Sequence, residues 1–258
     1  MEIVFNDVHT NKLKNINFSI TNKKIVSIIS SAMEYETEFI NLFAAKNFEK
    51  GQIYIDSELV KIEELQKKSH IVSSDLSDLF FNINIKEDLK YYLENYDNKK
   101  LEELLNSFDL DYSILDKCYM EISSSELKKL ALIISLMIDK KIIMIEYPTK
   151  NLDYKSIQTL KKYLKKLKRE EKIIIINSKN TNFILEVTDD VLVLEKNTVT
   201  NQDSKYNILS QENTLNNCNL KMPDVLLFIE KTKKIKSIKL NNRDNINDLI
   251  KDIYRYAK

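Results

Sequence analysis

Residues 142–153 read IIMIEYPTKNLD, an apolar run of four residues followed by a polar segment. Isoleucine supplies three of the four apolar positions, Ile142, Ile143 and Ile145. An unbroken run of this kind is typical of a strand that is covered on both faces, as in a parallel sheet. Asp153 closes the segment and is predicted to cap a helix that begins at Tyr154.

Runs similar to this one recur along the chain, and helical patterns separate them. The other runs lie at Ile25–Ile29, Ile53–Ile55, Ile173–Ile176 and Val191–Leu194. The helical patterns have apolar residues three or four positions apart, as at Phe39, Leu42 and Phe43 and at Ile157, Leu160, Leu164 and Leu167. Strands that alternate with helices predict an α/β fold with a mainly parallel sheet.

Two segments depart from this alternation. Residues 85–122 have helical patterns only, which predicts a helical subdomain inserted at about 85–125. The chain then turns polar at Thr200–Lys205, which predicts a boundary between a domain at 1–205 and a C-terminal extension at 206–258. In the extension we expect a helix that opens near Pro223, a short strand at Ile235–Leu240 and a last helix at Ile246–Tyr256.

Composition excludes several classes of protein. The chain has 258 residues, 43% of them hydrophobic and 31% charged, which is typical of a globular protein with a sizeable core. Forty basic residues against 39 acidic ones give no field that would attract nucleic acid, so we expect no nucleic-acid partner. Two cysteines a hundred residues apart indicate free thiols, and the longest apolar run is too short to cross a bilayer.

The chain contains a single glycine, Gly51. A glycine-rich phosphate loop needs glycine where a side chain would block the approach of backbone N–H groups to phosphate. The sequence therefore lacks the residues on which that kind of nucleotide site depends.

The order of these segments resembles the ATP-binding subunit of an ABC transporter. The resemblance runs through LKNINFSI at 13–20, FEKGQIYID at 48–56, the Walker B and D-loop segment at 142–153, and DDVLVL at 189–194. The C-terminal part from Met222 is similar to energy-coupling-factor (ECF) transporter ATPases. This resemblance implies a P-loop NTPase-like core, and ATP and Mg²⁺ as cofactors. It also implies two partners, a homologous ABC subunit and a transmembrane coupling protein, and a place on the inner face of the cell membrane.

The family's phosphate loop falls on SSAMEYET at residues 30–37. Its glycines are replaced by Ser30 and Tyr35, and its lysine by Glu36. A carboxylate at the lysine position repels the phosphates that a lysine would attract. Thr37 keeps the hydroxyl that the family uses for Mg²⁺. We interpret Glu34, Glu36 and Glu38 as negative charges that cap the start of their own helix.

The other family sites are altered in the same direction. Glu146 stands at the Mg²⁺-binding aspartate, and Tyr147 at the catalytic glutamate, where its high pKa prevents it from acting as a base. Ser74 stands at the glutamine that contacts Mg²⁺, and Ser178 at the switch histidine. Ser123 is the retained serine of the signature motif, and Asp153 either organises a dimer interface or caps its helix.

Three functions remain open from the sequence. The first is an ECF-like ABC subunit with weak or no ATP hydrolysis and a structural or regulatory role. The second is an active but divergent transporter ATPase, in which Thr37, Glu146, Ser123 and Asp153 carry what remains of the site. The third is a soluble scaffold that has no membrane partner. Nucleotide binding separates the second from the other two, and co-purification with a membrane protein separates the first from the third.

Overall fold

The computed structural model describes residues 1–77, 79–93, 95–236 and 240–256. Residues 1–72 are mostly strands. They are β1 (Glu2–Thr10), β2 (Ile16–Thr21), β3 (Ile25–Ser30), then α1 (Met33–Phe43), β4 (Phe48–Ile55), β5 (Glu58–Val60), α2 (Ile62–Lys68) and β6 (Ser69–Val72).

From residue 85 the chain alternates helices and strands and ends in helices. It contains α3 (Ile85–Tyr92), α4 (Asn98–Ser107), α5 (Ser124–Met137), β7 (Ile142–Glu146), α6 (Tyr154–Arg169), β8 (Ile173–Asn177), α7 (Thr181–Val187), β9 (Asp190–Glu195) and β10 (Thr198–Ser204). The C-terminal helices are α8 (Lys205–Leu209), α9 (Glu212–Asn217), α10 (Asp224–Lys236) and α11 (Ile246–Tyr256). Two short 3₁₀ turns, Tyr112–Asp116 and Tyr119–Glu121, lie between α4 and α5.

The larger sheet has six strands in the order β10-β9-β3-β8-β7-β6. The five strands from β9 to β6 run parallel, and β10 pairs antiparallel with β9 at one edge. Every residue of β3, β7 and β8 is buried, because helices and the second sheet cover both faces. The predicted α/β fold with a mainly parallel sheet is therefore confirmed.

The smaller sheet has the order β2-β1-β4-β5 and is antiparallel. The run Ile53–Ile55 lies in this sheet, so its prediction as a strand of the parallel sheet is wrong. Asp56 and Ser57 both have positive φ and form a two-residue turn from β4 into β5, which requires an antiparallel hairpin. Burial alternates along this run, since only Ile53 and Ile55 face the core.

Gly51 lies in β4 opposite an irregularity of β1, where the pairing shifts register. Its φ is +116°, and a Cβ atom there would lie 2.5 Å from the Cα of Val8 and 2.6 Å from the carbonyl oxygen of Asp7. Two backbones approach each other too closely for a side chain. The glycine is therefore required by sheet packing, not by a phosphate loop.

The described residues between β6 and β7 contain helices and turns, without a strand. Downstream, the polar stretch at 200–204 belongs to β10, which is held by its pairing with β9, and the boundary at 205 stays a prediction. The helix expected near Pro223 and the last helix are present as α10 and α11. Ile235 and Lys236 lie in α10 rather than in the expected strand, and residues 237–239 lie outside the described part of the chain.

Candidate functional site

Three strands of the parallel sheet end at one edge, where Ser30, Glu146 and Asn177 are their last residues. In open α/β sheets, ligands bind beside the carboxyl ends of the strands. The segments that follow these strands carry Glu36, Tyr147 and Ser178, three of the predicted site residues. The fold thus brings the predicted phosphate loop, the end of the Walker B strand and the switch segment together.

The connection between β3 and α1 is short. Only Ser31 and Ala32 separate the strand from the helix, so the residues aligned with the phosphate loop from Met33 onward are helical. The Ser30 hydroxyl accepts a hydrogen bond from the Ala32 N–H group at 3.0 Å, and the Tyr35 ring packs against the core. Each residue of this fully described stretch has a negative φ, so no turn opens around a phosphate.

Glu36 points into the protein and is 2% exposed. Its carboxylate accepts hydrogen bonds from the Lys179 ammonium at 2.6 Å, the Tyr147 hydroxyl at 2.8 Å and the Asn177 side-chain amide at 3.1 Å. We call these four residues the Glu36 cluster. Lys179 and Asn177 were missed at the sequence level. The one available signal was a lysine beside Ser178 that could match the acid at position 36.

The interpretation of the three acids as caps of their own helix start is wrong. The N-cap residue is Ala32, which has no side-chain acceptor. Glu34 instead pairs with Lys12 at 3.0 Å, and buried Glu38 accepts from the Asn47 amide at 2.9 Å. Glu34 and Glu38, four positions apart, lie on one face of the helix and both contact Lys12, whereas Glu36 points to another side, into the protein.

Tyr147 connects the end of β7 to the cluster. It has a φ of +42°, and its N–H group donates to the backbone and side-chain oxygens of Asn177 at 3.0 and 3.1 Å. Burial, followed by the hydrogen bond to Glu36, raises the pKa of the Tyr147 phenol far above its ordinary value. The phenol is therefore a hydrogen-bond donor at neutral pH and cannot serve as a general base.

Ser178 is buried and makes a local contact. Its hydroxyl accepts a hydrogen bond from the Asn180 N–H group at 3.1 Å. Asn180 is itself the N-cap of α7, where its side chain accepts from the Phe183 N–H group at 3.0 Å. The switch position therefore helps to shape the start of α7, and the charge that faces the site comes from the next residue, Lys179.

The predicted metal-binding residues Thr37 and Glu146 line one cavity of about 330 Å³ together with Ser74. The Glu146 carboxylate is already bonded to the Ser74 N–H group and accepts from the Ser73 hydroxyl at 3.4 Å. The Thr37 hydroxyl donates to the carbonyl oxygen of Met33 at 3.2 Å. The three residues meet as expected, but in the described part of the chain no group of three His, Cys, Asp or Glu side chains could hold a metal ion.

A buried lysine contacts the backbone at the end of β7. Lys128 of α5 is 3% exposed, and its ammonium donates to the carbonyl oxygen of Glu146 at 2.8 Å. Burial lowers the pKa of Lys128 to about 8, although the nearby Glu146 carboxylate opposes the shift. The contact joins α5, which begins after Ser123, to the end of β7.

Ser123 and Asp153 both begin helices. Ser123 is the N-cap of α5 and forms a capping box with Glu126, whose carboxylate turns back onto the Ser123 N–H group at 3.0 Å. The carboxylate of Asp153 accepts from the Ser156 N–H group at 2.8 Å as the N-cap of α6, and it pairs with Lys129 at 3.1 Å. The hydrogen bond from the Ser156 backbone and then the pairing with Lys129 hold the pKa of Asp153 well below its usual range. The predicted capping by Asp153 is confirmed.

These residues do not fit ATP and Mg²⁺ in the manner that the resemblance implies. The residue at the lysine position is an anion already bound to a cation of the same chain, and helix fills the loop that would surround a phosphate. At the metal positions, Oε2 of Glu146 accepts from the Ser74 N–H group and the Thr37 hydroxyl donates to the carbonyl oxygen of Met33. The described helices include none that is long and apolar enough to cross a membrane.

No protein-family model matches the sequence. Among curated proteins, the chain is 23% identical over 258 residues to the energy-coupling factor transporter ATP-binding protein EcfA of Methanocaldococcus jannaschii, covering 95% of this chain and 92% of that protein. It is also 23% identical over 187 residues to a protein of Treponema denticola described as a candidate ABC transporter ATP-binding protein. That match covers 72% of this chain but only 38% of the longer relative.

Solved structures share the fold. An ATP-binding subunit of an ABC transporter superposes with a TM-score of 0.71 at 15% identity, covering 83% of this chain and 94% of that one. The cbiO1 protein of Clostridium perfringens, part of the cbiONQ ABC transporter complex, superposes with a TM-score of 0.65 at 20% identity, covering 88% and 98%. The chain thus has the fold of ABC ATPase cassettes, and its sequence resembles the ATP-binding subunits of ABC transporters, including those of energy-coupling-factor transporters.

Proposed function

We propose that this chain is an ECF-like ABC subunit of a membrane transporter in which ATP hydrolysis is weak or absent, and that its role is structural or regulatory. The observation that carries the proposal is the Glu36 cluster. A buried carboxylate at the lysine position repels phosphate, and its bond to Lys179 uses the nearest cation. Both effects oppose binding of a nucleoside triphosphate at this site.

The chemistry of hydrolysis has no base here. The position of the catalytic glutamate is Tyr147, whose proton is held by Glu36 and by the raised pKa of the phenol. A water molecule beside this group would not be activated at neutral pH. Ser178 at the switch position engages its hydroxyl within the chain, so it does not replace the missing histidine.

An active but divergent ATPase is the second candidate, and one observation favours it. Thr37, Ser74 and Glu146 line the same cavity, as they would in a working Mg²⁺ site. Release of Glu146 from the Ser74 N–H group would free its carboxylate for a metal-bound water. This candidate requires the Glu36 cluster to open, because Lys179 would have to leave the carboxylate before it could meet a phosphate.

Two partners are proposed, a homologous ABC subunit and a transmembrane coupling protein, which would hold the chain at the cytoplasmic face of the membrane. The surface that supports a coupling partner comprises Phe81, Ile83 and Tyr91, whose exposed fractions are 52%, 86% and 66%. Phe81 and Tyr91 meet edge to face at 5.0 Å. Exposed aromatic residues of this kind are enriched at interfaces.

The loop that carries this surface is fixed from beneath. The fully buried Asp88 carboxylate accepts hydrogen bonds from the N–H groups of Phe81 and Asn82 at 3.1 and 3.0 Å. The apolar side chains are thus presented on an ordered turn before any partner binds, which lowers the entropic cost of association.

Titration with a fluorescent ATP analogue and Mg²⁺ tests the nucleotide part of the proposal. We expect no saturable binding by the natural chain up to millimolar nucleotide, because Glu36 opposes the phosphates. The double variant Glu36→Lys/Lys179→Ser removes the repulsion and should bind more tightly, while Glu34→Lys changes an exposed acid of the same helix and should not. Micromolar binding by the natural chain would refute the proposal in favour of the divergent ATPase.

Co-purification from detergent-solubilised membranes of cells that make this protein tests the partner. We expect the tagged chain to retain an integral membrane protein and the variant Phe81→Ser/Tyr91→Ser to lose it. Leu59→Ser, a change of another exposed apolar residue on β5, is the control and should retain the partner. Equal recovery with all three chains would count against this surface, and no membrane protein with any of them would favour the scaffold.

A further inference from the structure

The Glu36 cluster joins three segments that come from distant parts of the chain. Glu36 lies in the first turn and a half of α1, Tyr147 directly follows β7, and Asn177 and Lys179 end and follow β8. The two ion-paired residues are 143 positions apart. The Glu36 cluster therefore holds distant segments together at the carboxyl edge of the sheet, and we call this connection the clasp.

Both oxygens of the Glu36 carboxylate accept hydrogen bonds within the clasp. Oε1 of Glu36 receives the Lys179 ammonium, and Oε2 receives the Tyr147 hydroxyl and the Asn177 amide. A buried carboxylate is strongly unfavourable unless a cation and donors satisfy it. Here both are present, and charge-assisted bonds of this kind are stronger and shorter than neutral ones.

The polarity of the clasp is the reverse of that in a phosphate-binding site. In such a site the protein supplies lysine and N–H donors at the start of the helix, and the ligand supplies the anion. Here the start of the helix supplies the anion as Glu36, and the segment after β8 supplies the cation as Lys179. An anion is still surrounded by donors from the ends of β7 and β8, but it is covalently part of the chain.

We propose that the Glu36 carboxylate is a built-in substitute for a nucleotide phosphate, which locks the segments after β7 and β8 onto α1 in one arrangement that needs no ligand. The inference rests on the proposed function, since a nucleotide-independent subunit requires a surface that does not change with nucleotide. It makes residues 147–151 and 177–181 a permanently ordered face. A face that is always ordered could bind a partner constitutively. A face that changed with bound nucleotide could not.

Amide hydrogen exchange of the full chain without nucleotide tests the clasp. In Glu36→Gln and in Tyr147→Phe we expect exchange at 147–151 and 177–181 to accelerate, on the order of tenfold or more for Glu36→Gln and less for Tyr147→Phe. Exchange in α4 should stay unchanged in both, which shows that the chain is folded. Glu34→Lys on the same helix is the matched control and should leave both segments protected.

The same measurement with millimolar MgATP separates the inference from the proposed function. The natural chain should show no change at 147–151 and 177–181 on adding nucleotide. Unchanged protection in Glu36→Gln would overturn the clasp even if the chain binds no ATP. Conversely, nucleotide binding in the titration would overturn the proposed function, whereas loss of protection in Glu36→Gln would still establish that the clasp orders these segments.

Discussion

Replacing Lys179 with methionine is expected to lower the free energy of unfolding by about 2–3 kcal/mol at pH 7. The change keeps the aliphatic stem but removes the one cation on the Glu36 carboxylate, which is 2% exposed. Removing one partner of a fully buried pair costs about 3–5 kcal/mol. The value expected here is smaller because the Lys179 side chain is 43% exposed, so water screens part of the interaction.

Urea unfolding followed by circular dichroism measures this effect, and the chain offers a matched control. Lys150 lines the same cavity as Lys179 and makes no ion pair within the described part of the chain. Lys150→Met should therefore change stability by less than about 0.5 kcal/mol. Adding Glu36→Gln to Lys179→Met should recover much of the loss, because it removes the unpaired charge. Equal effects of the two methionine variants would mean that the pair contributes nothing.

The central strands could be predicted from the sequence because burial on both faces demands continuous apolar residues. Ile142–Ile145 and Ile173–Ile176 are such runs, and both are central strands. β10 could not be predicted in this way, since an edge strand with a solvent-facing side tolerates the polar residues 200–204. Its conformation depends on pairing with β9, which a local pattern does not contain.

The sequence positions of the site residues could be predicted, but the contacts between their side chains could not. Collinear resemblance placed Glu36 at the lysine position and Tyr147 at the catalytic glutamate, and the structure brings them within hydrogen-bond distance. It did not predict that Lys179 supplies the missing cation, because an ion pair across 143 residues leaves no local pattern. Interpreting the loop as a self-capped helix start followed from considering its charges without that partner.

The acid at position 36 and the lysine at position 179 depend on each other physically. A carboxylate at position 36 without Lys179 would be a buried unpaired charge, and Lys179 without Glu36 would leave a cation facing the ends of the strands. The buried Lys128 adds a second cation close to the end of β7, where its ammonium donates to the backbone carbonyl of Glu146.

Lys128 gives the protein a pH dependence of stability that can be measured. Burial lowers the pKa of Lys128 from 10.5 to about 8, so the folded state binds fewer protons than the unfolded state between these values. The penalty for burying the charge, about 3 kcal/mol, is fully present below pH 8 and is relieved as pH rises towards 10.5. From pH 7 to pH 9 this group alone should therefore add about 1 kcal/mol of stability.

Comparing the natural chain with Lys128→Met at each pH isolates the contribution of Lys128. Other groups that titrate in the range compared are present in both chains and cancel in the difference. We expect the stability of the natural chain relative to the variant to rise by about 1 kcal/mol between pH 7 and pH 9. Lys129→Met, which removes a neighbouring buried lysine paired with Asp153, is measured alongside to show what the loss of an ion pair does to stability. A constant difference between the natural chain and Lys128→Met over this range would mean that Lys128 keeps an ordinary pKa, and that the end of β7 is more hydrated than its burial indicates.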